Sequence, residues 1–376
     1  MSNERTERSQ RSPVGISLAP RSLSDYVQRH GGAIANGAHG VVRRISPVRR
    51  AGAGDLAPVL SARYVDDAAG AVARGAFLLV EASLAERPEI AALPAWVHPH
   101  AAFALAVLLD GGDAPADDPI IGEGVKIGRG AVIMPRVTIG ARVTIGPGAV
   151  IGDAGFGFAA GPDGKTRPIP HLAGVVIEDD VHIGALCTIA AGTLGPTIIK
   201  RGAKLDAQVH VGHNCEIGEG AVIAAQCGLA GSVVVGRGVM MGGQVGVADH
   251  VEIGEGARIA AKSGVIGDVA PGTTVAGYPA VERQRWLRGL AELYRLAAGR
   301  GSVAPSSGSL RAGPRYSSTP PPVSMVPPLV TPSFGPSGSV SGSPPDRSPQ
   351  APSVRPEAVI RRSDPPADHT KGTTKS

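Results

Sequence analysis

The chain has 376 residues with a formal net charge of +5, and 3% of its residues are aromatic while 53 are glycine. The basic residues are spread thinly and do not alternate with aromatics, which argues against a nucleic-acid interface. The composition also excludes a large aromatic core and favours a repetitive fold of small and β-branched residues. The N-terminal segment lacks the apolar stretch of a secretory signal, and no run of about 18 apolar residues occurs. We therefore expect a cytoplasmic protein with no membrane span.

The first elements belong to a small N-terminal domain. Residues 1–20 are charged and polar, and we expect them to be disordered. Residues 21–112 have the composition of an α/β domain, with a buried strand over 76–80 and a helix over 101–109. A short linker rich in Gly, Asp and Pro follows this domain.

A six-residue repeat occupies most of the next segment, residues 113–280. Aliphatic residues recur in one phase, mostly followed by glycine, and the repeat is interrupted over 153–176 and slips by four residues before Ile199. The first run of repeated aliphatics is Ile121, Ile127, Ile133, Ile139, Ile145 and Ile151, and later runs begin at Ile177 and Ile199. Neither a helical nor a simple strand period explains this spacing.

A triangular solenoid does explain the spacing, with one short strand and one turn for each six residues and three such units in each coil. The predicted fold is therefore a left-handed parallel β-helix with a small N-terminal α/β domain and a C-terminal helix. The residue two before each repeated aliphatic should also point inward and be small, as at Val125, Ala131, Val137, Val143, Val209, Ala221, Val233, Val239 and Val251. Cys187, Cys215 and Cys227 fall in this set, so we expect buried thiols rather than nucleophiles or metal ligands.

Three segments depart from the repeat. Residues 153–176 are too long for a turn and should form a loop excursion from one corner of the prism. Residues 281–299 predict a helix with an apolar face, formed by Trp286, Leu287, Leu290, Leu293 and Leu296, which would either cap the open end or pack on a neighbouring chain. Residues 300–376 are rich in Pro, Ser and Gly, and we expect a disordered tail.

His213 is the most suggestive candidate for catalysis. It lies two residues after an inward position, so its imidazole should point outward, and Asp206 seven residues earlier would reach it and fix its tautomer. Gly231 follows eighteen residues later, one full coil on, so its backbone N–H would stabilise an oxyanion beside the imidazole. These positions suggest acyl transfer; the alternative is a solvated surface histidine, which is also our interpretation of His182 and His210.

Several motifs add a family resemblance over about residues 22–298. They are GlyAspLeu at 54–56, ArgTyr at 63–64, GlyPheGlyPhe at 155–158, IleProHis at 169–171, GlyHisAsn at 212–214, AlaGlySer at 230–232 and the GlyTyrPro to TrpLeuArg segment at 277–288. In these motifs and their order the chain resembles the UDP-3-O-acylglucosamine N-acyltransferases of lipid A biosynthesis.

The resemblance implies a homotrimer without a metal or a cofactor of its own. It implies that acyl carrier protein delivers a 3-hydroxyacyl chain as a phosphopantetheine thioester to the 2-amine of UDP-3-O-acylglucosamine. His213 matches the general base, Asp206 its orienting partner and Gly231 the oxyanion donor. The substrate-binding residues that it implies are His250, Tyr64, Asn214, Phe156 and Gln208, and the N-terminal domain would hold the uridine.

The chain also departs from the family pattern. Polar or aromatic family positions are occupied by Pro58, Ser61, Ala154, Ala190, Ala191 and Ala207. Each lost hydrogen-bond partner typically costs about 1–3 kcal/mol, so these departures predict weaker binding of the usual UDP-sugar. The alternatives are an acyltransferase for another nucleotide-amino sugar and a weakly active or non-catalytic trimeric scaffold.

Overall fold

The N-terminal domain is built around a six-stranded sheet. The computed structural model describes residues 15–112, 118–277 and 280–299. The strands of the domain are β1 (Ile16–Ser22), β2 (Ala33–Ala35), β3 (Val41–Ile45), β4 (Asp55–Val59), β5 (Phe77–Glu81) and β6 (Ala95–His98). Its helices are α1 (Leu23–His30), α2 (Val65–Ala73) and α3 (Ala101–Asp110), with short 3-10 turns at Ala62–Tyr64 and Ala82–Leu84. The strand order is β1-β3-β4-β5-β6-β2, parallel from β3 to β6 and antiparallel at both edges.

The start of this domain corrects one prediction. Residues 16–20, which we expected to be disordered, lie in β1, because Ile16 and Leu18 alternate into the core of the domain. The alternation covers only two apolar residues among polar ones, too few to stand out in the sequence. Residues 1–14 lie outside the described part of the chain, as do the predicted tail after residue 299 and most of the linker.

The six-residue repeat forms the predicted left-handed parallel β-helix, with three faces of short parallel strands. Face 1 contains Ile120–Ile121, Val137–Ile139, Val175–Ile177, Thr197–Ile199, Glu216–Ile217, Val234–Val235 and Glu252–Ile253. Face 2 contains Lys126–Ile127, Thr144–Ile145, His182–Ile183, Lys204–Leu205, Val222–Ile223, Met240–Met241, Arg258–Ile259 and Thr274–Val275. Face 3 contains Val132–Ile133, Val150–Asp153, Thr188–Ala190, His210–Val211, Gly228–Leu229, Gly246–Val247 and Gly264–Val265.

The core of the β-helix is a stack of the repeated aliphatic residues and the small residues two before them. From Val137 onward nearly all of both sets are buried, and Val125 and Ala131 pack against this core at the first coil. Cys187, Cys215 and Cys227 are buried in it as free thiols, as predicted. Glycine after the repeated aliphatic allows the coils to stack closely, since a Cβ on Gly212 would lie 2.7 Å from the carbonyl carbon of Ala230.

Two of the three corners carry residues that the sequence predicted for the site. The corner between faces 3 and 1, here the loop corner, carries Asn214, Ser232 and His250, one in each successive coil and each with φ near +60°. The corner between faces 2 and 3, here the glutamine corner, carries Gln208, Gln226 and Gln244 in the same backbone conformation. This left-handed backbone conformation is unfavourable for residues other than glycine. Each of these side chains is therefore present although its turn is less stable than it would be with glycine.

Both interruptions of the repeat project from the loop corner. The first is the predicted excursion, which contains an antiparallel hairpin of strands Phe158–Ala160 and Thr166–Pro168. The second is the four-residue slip, which forms a short loop between Ala190 and Thr197. The sequence predicted an excursion of the right extent, and the structure adds that it shares a corner with His213.

The predicted C-terminal helix is present as α4 (Arg283–Gly299). Trp286, Leu287, Leu293 and Leu296 on this helix are exposed. Within one chain, therefore, the helix does not bury this apolar face against the end of the β-helix, which leaves packing on a neighbouring chain as the alternative.

Candidate functional site

The loop corner stacks His213 against Gly231 of the next coil. The amide of Ser232 donates to the carbonyl oxygen of His213 at 2.7 Å, which fixes the two turns one above the other. A Cβ on Gly231 would lie 2.5 Å from both Cε1 and Nε2 of His213, so the imidazole rests on bare backbone. The backbone N–H of Gly231 donates to no backbone acceptor in the described residues. The predicted juxtaposition of the two residues is thus present, and their catalytic roles stay predictions.

His213 is half-buried and faces other histidines. Burial is the main cause that lowers the pKa of His213. The positive charges that His250 and His210 carry when protonated lower it further. A hydrogen bond with the backbone of Phe156 acts in the opposite direction. The ring is therefore largely neutral near pH 7, which is the state that a general base requires.

A second histidine, His171, packs on His213 and was not among the predicted site residues. The centroids of the two rings are 4.7 Å apart with an angle of 57° between their planes. Burial lowers the pKa of His171 to about 4, with a further contribution from the charge of His213 and an opposing one from the backbone of Ile169. The IleProHis motif marked this residue in the sequence, but nothing there showed that the excursion folds back onto His213.

Asp206 does not lie beside His213 in one chain, which corrects the prediction that it reaches the imidazole. It follows a strand of face 2 and therefore belongs to the glutamine corner, whereas His213 follows a strand of face 3. Its Oδ1 accepts a hydrogen bond from the amide of Ala207 at 2.7 Å. The error has a geometric reason: seven residues span one strand and one turn, which carries the chain to the next corner.

Within one chain, the side chain that contacts Nδ1 of His213 is that of Asn214. The amide nitrogen of Asn214 lies 2.9 Å from Nδ1 of His213, and its Oδ1 accepts from the backbone N–H of Thr193 at 2.7 Å. The side chain thus ties His213 to the short loop that follows Ala190. Asn214 was predicted to bind substrate. In one chain its side-chain amide contacts His213 and Thr193 instead, and its role towards substrate stays a prediction.

His250 and Tyr64 bring the N-terminal domain to the same corner. The Tyr64 hydroxyl lies 3.2 Å from Nδ1 of His250. Burial is the largest influence on both groups, raising the pKa of Tyr64 and lowering that of His250. An ion pair between Arg63 and Glu252 at 3.3 Å supports this contact between the domain and the β-helix.

The remaining predicted site residues lie in different places. Phe156, on the excursion, is 83% exposed and meets Phe158 edge-on with ring centroids 5.1 Å apart. Gln208 lies at the glutamine corner, where its Oε1 accepts from Gln226 at 2.8 Å, so one chain does not bring it to His213. His210 approaches the hydroxyl of Thr188 at 2.7 Å, and His182 is exposed on face 2.

Within residues 15–112, 118–277 and 280–299, no group of three or more His, Cys, Asp or Glu side chains is arranged to hold a metal ion. In the same ranges, no helix has the length and hydropathy needed to cross a membrane.

Parts of the chain are similar to a known repeat family and to several named proteins. The family profile of the bacterial transferase hexapeptide (six repeats) matches residues 118–153 and 196–231. The chain is 45% identical over 192 residues to the UDP-3-O-acylglucosamine N-acyltransferase of Caulobacter vibrioides, covering 51% of each protein. It is 53% identical over 146 residues to the protein of that name from Syntrophobacter fumaroxidans, which covers 39% of this chain and 41% of that protein.

The matches are partial. For the Christiangramia forsetii protein of the same name, the similar region spans 22% of that protein at 52% identity. A solved structure of UDP-N-acetylglucosamine acyltransferase from Campylobacter jejuni is 27% identical with a TM-score of 0.39, covering 49% of this chain and 75% of that one. The chain thus spans at most about half the length of these curated relatives. It carries the bacterial transferase hexapeptide repeat and, as its motifs predicted, resembles the UDP-3-O-acylglucosamine N-acyltransferases.

Proposed function

We propose that the chain is an acyltransferase that moves a 3-hydroxyacyl group from acyl carrier protein to the 2-amine of UDP-3-O-acylglucosamine. The observation that carries this proposal is the imidazole of His213 resting on the backbone of Gly231. A base and an amide N–H donor then face one small region of space, which is what addition of an amine to a thioester needs. The similarity to named N-acyltransferases supports the choice of substrates.

The proposed reaction proceeds by addition and elimination. His213 takes a proton from the amine as its nitrogen forms a bond to the thioester carbonyl carbon. The N–H of Gly231 stabilises the oxyanion of the tetrahedral intermediate. The C–S bond then breaks, and the imidazolium returns the proton to the leaving phosphopantetheine sulfur. The products are an amide and a free thiol, and the enzyme is regenerated.

A trimer would complete the site. Asp206 and His213 lie in the same coil at adjacent corners, so they have nearly the same height along the β-helix. A three-fold axis parallel to the β-helix preserves height and brings one corner of a chain against a different corner of the next. We propose that Asp206 of the partner subunit accepts Nδ1–H of His213, which leaves Nε2 as the basic atom. The exposed apolar face of α4 supports an assembly of this kind.

Tyr64 and His250 are the proposed contacts to the UDP-sugar. Both lie at the loop corner, one coil beyond Gly231, and Tyr64 comes from the domain that would hold the uridine. Phe156 projects into solvent beside His213 and offers an aromatic surface to the acceptor or the acyl chain. Gln208 would join the site only from a neighbouring chain.

An acyltransferase for a different nucleotide-amino sugar is the second candidate. Ala190 and Ala191, which replace polar family residues, are both buried beside the loop corner. Buried methyl groups at these positions offer no hydrogen bond to a sugar, which favours an acceptor with fewer polar groups on that side.

The direct test is transfer of a radiolabelled acyl group from acyl carrier protein to UDP-3-O-acylglucosamine. We expect turnover by the wild-type chain and a loss of about 10²-fold or more in His213→Ala, because the base is removed. The control is His182→Ala, which removes an exposed histidine from face 2. Wild-type activity no higher than that of His213→Ala would exclude the first candidate, and a panel of UDP- and dTDP-amino sugars would then separate the second from a non-catalytic scaffold.

A further inference from the structure

His171 is a buried histidine that the proposed reaction does not use. His171 is 5% exposed, and its Nδ1 atom is buried without a hydrogen-bond partner in the described structure. A buried polar atom left unpaired destabilises the folded protein, so a histidine at this position needs an explanation. The explanation must involve the ring's surroundings, and its nearest aromatic neighbour is His213.

The excursion holds the ring of His171 against His213 through two glycines. A Cβ on Gly155 would lie 2.6 Å from Cβ of His213 and 2.8 Å from Nε2 of His171, so only bare backbone fits between the two side chains. A Cβ on Gly157 would lie 3.2 Å from Cε1 of His171. The ring of His171 is thus enclosed by the excursion on one side and by His213 on the other.

We infer that His171 is a positioning residue, which packs across the imidazole of His213 and excludes water from it. The inference rests on the proposed function in that His213 is the base. His171 touches no reacting atom, and its effect passes entirely through the orientation and solvation of His213.

The other histidines near His213 act on it through their charge, and not by covering its ring. His250 acts from two coils further along the loop corner and His210 from the preceding strand, and each lowers the pKa of His213 through its positive charge. Asp249 and Arg63 act on His250 with opposite signs. His171 differs because burial keeps it neutral, with a pKa of about 4. It therefore presents an uncharged ring face to His213 throughout the pH range in which the base operates.

The test compares His171→Ala with His171→Phe by NMR titration of the His213 ring, which requires no activity. In His171→Ala, water should enter and the pKa of His213 should rise toward 6.5, because burial is the main cause of its depression. His171→Phe keeps an uncharged ring in place, so the pKa of His213 should stay low. The control is His182→Ala, which removes an exposed ring from face 2 and should leave the titration of His213 unchanged.

The same variants are then assayed for acyl transfer between pH 5 and 9. We expect kcat/KM to fall by about tenfold or more in His171→Ala, and the acid limb of its pH profile to move to higher pH. In His171→Phe, both kcat/KM and the acid limb should return to their wild-type values. An unchanged His213 titration in His171→Ala, or a His171→Phe variant that behaves like it, would overturn the inference. If no variant, including the wild type, transfers an acyl group, the proposed function fails, while the titration still decides the role of His171.

Discussion

The amide nitrogen of Asn214 lies 2.9 Å from Nδ1 of His213, and the amide is held in that orientation because its oxygen accepts from the backbone N–H of Thr193. An amide nitrogen only donates, so Nδ1 must be the acceptor. The neutral ring in one chain therefore carries its hydrogen on Nε2, the atom that lies against Gly231. For Nε2 to act as the base, an acceptor must take the place of the amide at Nδ1.

Replacement of Asn214 by Asp supplies such an acceptor within the chain. One carboxylate oxygen can still accept from Thr193, while the other accepts Nδ1–H of His213. We expect the neutral tautomer to change from Nε2–H to Nδ1–H and the pKa of His213 to rise, because a nearby negative charge favours the protonated ring. Nitrogen-15 chemical shifts of the imidazole report both changes.

The matched control is Gln28→Glu, which adds the same charge at an exposed position of α1, away from the loop corner and the glutamine corner. It should leave the nitrogen shifts of His213 as they are in the wild type. A persistent Nε2–H signal in Asn214→Asp would show that Asn214 does not determine the tautomer.

The close approach of Gly231 to His213 gives a second prediction. In Gly231→Ala the new methyl group would lie 2.5 Å from Cε1 and Nε2 of the imidazole, so the ring must move away from the backbone N–H. We expect acyl transfer to fall by about 10²-fold or more, since base and oxyanion donor no longer face one region. Thermal unfolding should change little, because the displaced ring is half-buried and can turn toward solvent.

Gly264→Ala is the control for that substitution. A Cβ on Gly264 meets nothing within 4 Å, and the residue lies on face 3 two coils beyond Gly228. It should retain activity. Equal activity in Gly231→Ala and the wild type would remove Gly231 from the mechanism.

The repeat and the corner residues could be predicted from the sequence because each depends on local spacing. The six-residue period determines which residues face the core, and the eighteen-residue coil places Gly231 beside His213. The error over Asp206 arose within the same period, since a seven-residue separation leads to another corner. The contact of His171 was not predictable, because it depends on how an excursion without any repeat folds back. The contact between Tyr64 and His250 likewise joins residues that are 186 positions apart.

Burial of His171 should make stability depend on pH. Its folded pKa of about 4 lies below the value of 6.5 for an exposed histidine, so between these values the unfolded chain binds more protons. The contribution is fully present above pH 6.5 and is lost as the pH falls toward 4, by at most about 3 kcal/mol. Urea unfolding at a series of pH values measures it.

The contribution of this one residue is isolated by comparison with His171→Phe. The variant has no group to titrate there, so its free energy of unfolding should fall less steeply than that of the wild type between pH 6.5 and 4. His182→Ala should follow the wild type. Parallel curves for the wild type and His171→Phe would mean that His171 is not kept neutral by burial.

The three thiols of the β-helix core should be unreactive in the folded protein. Burial raises the pKa of each, to about 12 for Cys215, and the thiolate is the reactive form. Each Sγ also donates to a backbone carbonyl oxygen, as Cys215 does to Ala230 at 3.1 Å. We expect no reaction with Ellman's reagent at pH 8 and reaction of all three cysteines after unfolding in guanidinium. His182→Cys is the positive control, because it places a thiol on the exposed side of face 2 and should react at once. Rapid labelling of any native cysteine, located by peptide mass spectrometry, would show that the coil around it opens readily and that the stack is less continuous than its buried column of aliphatic residues indicates.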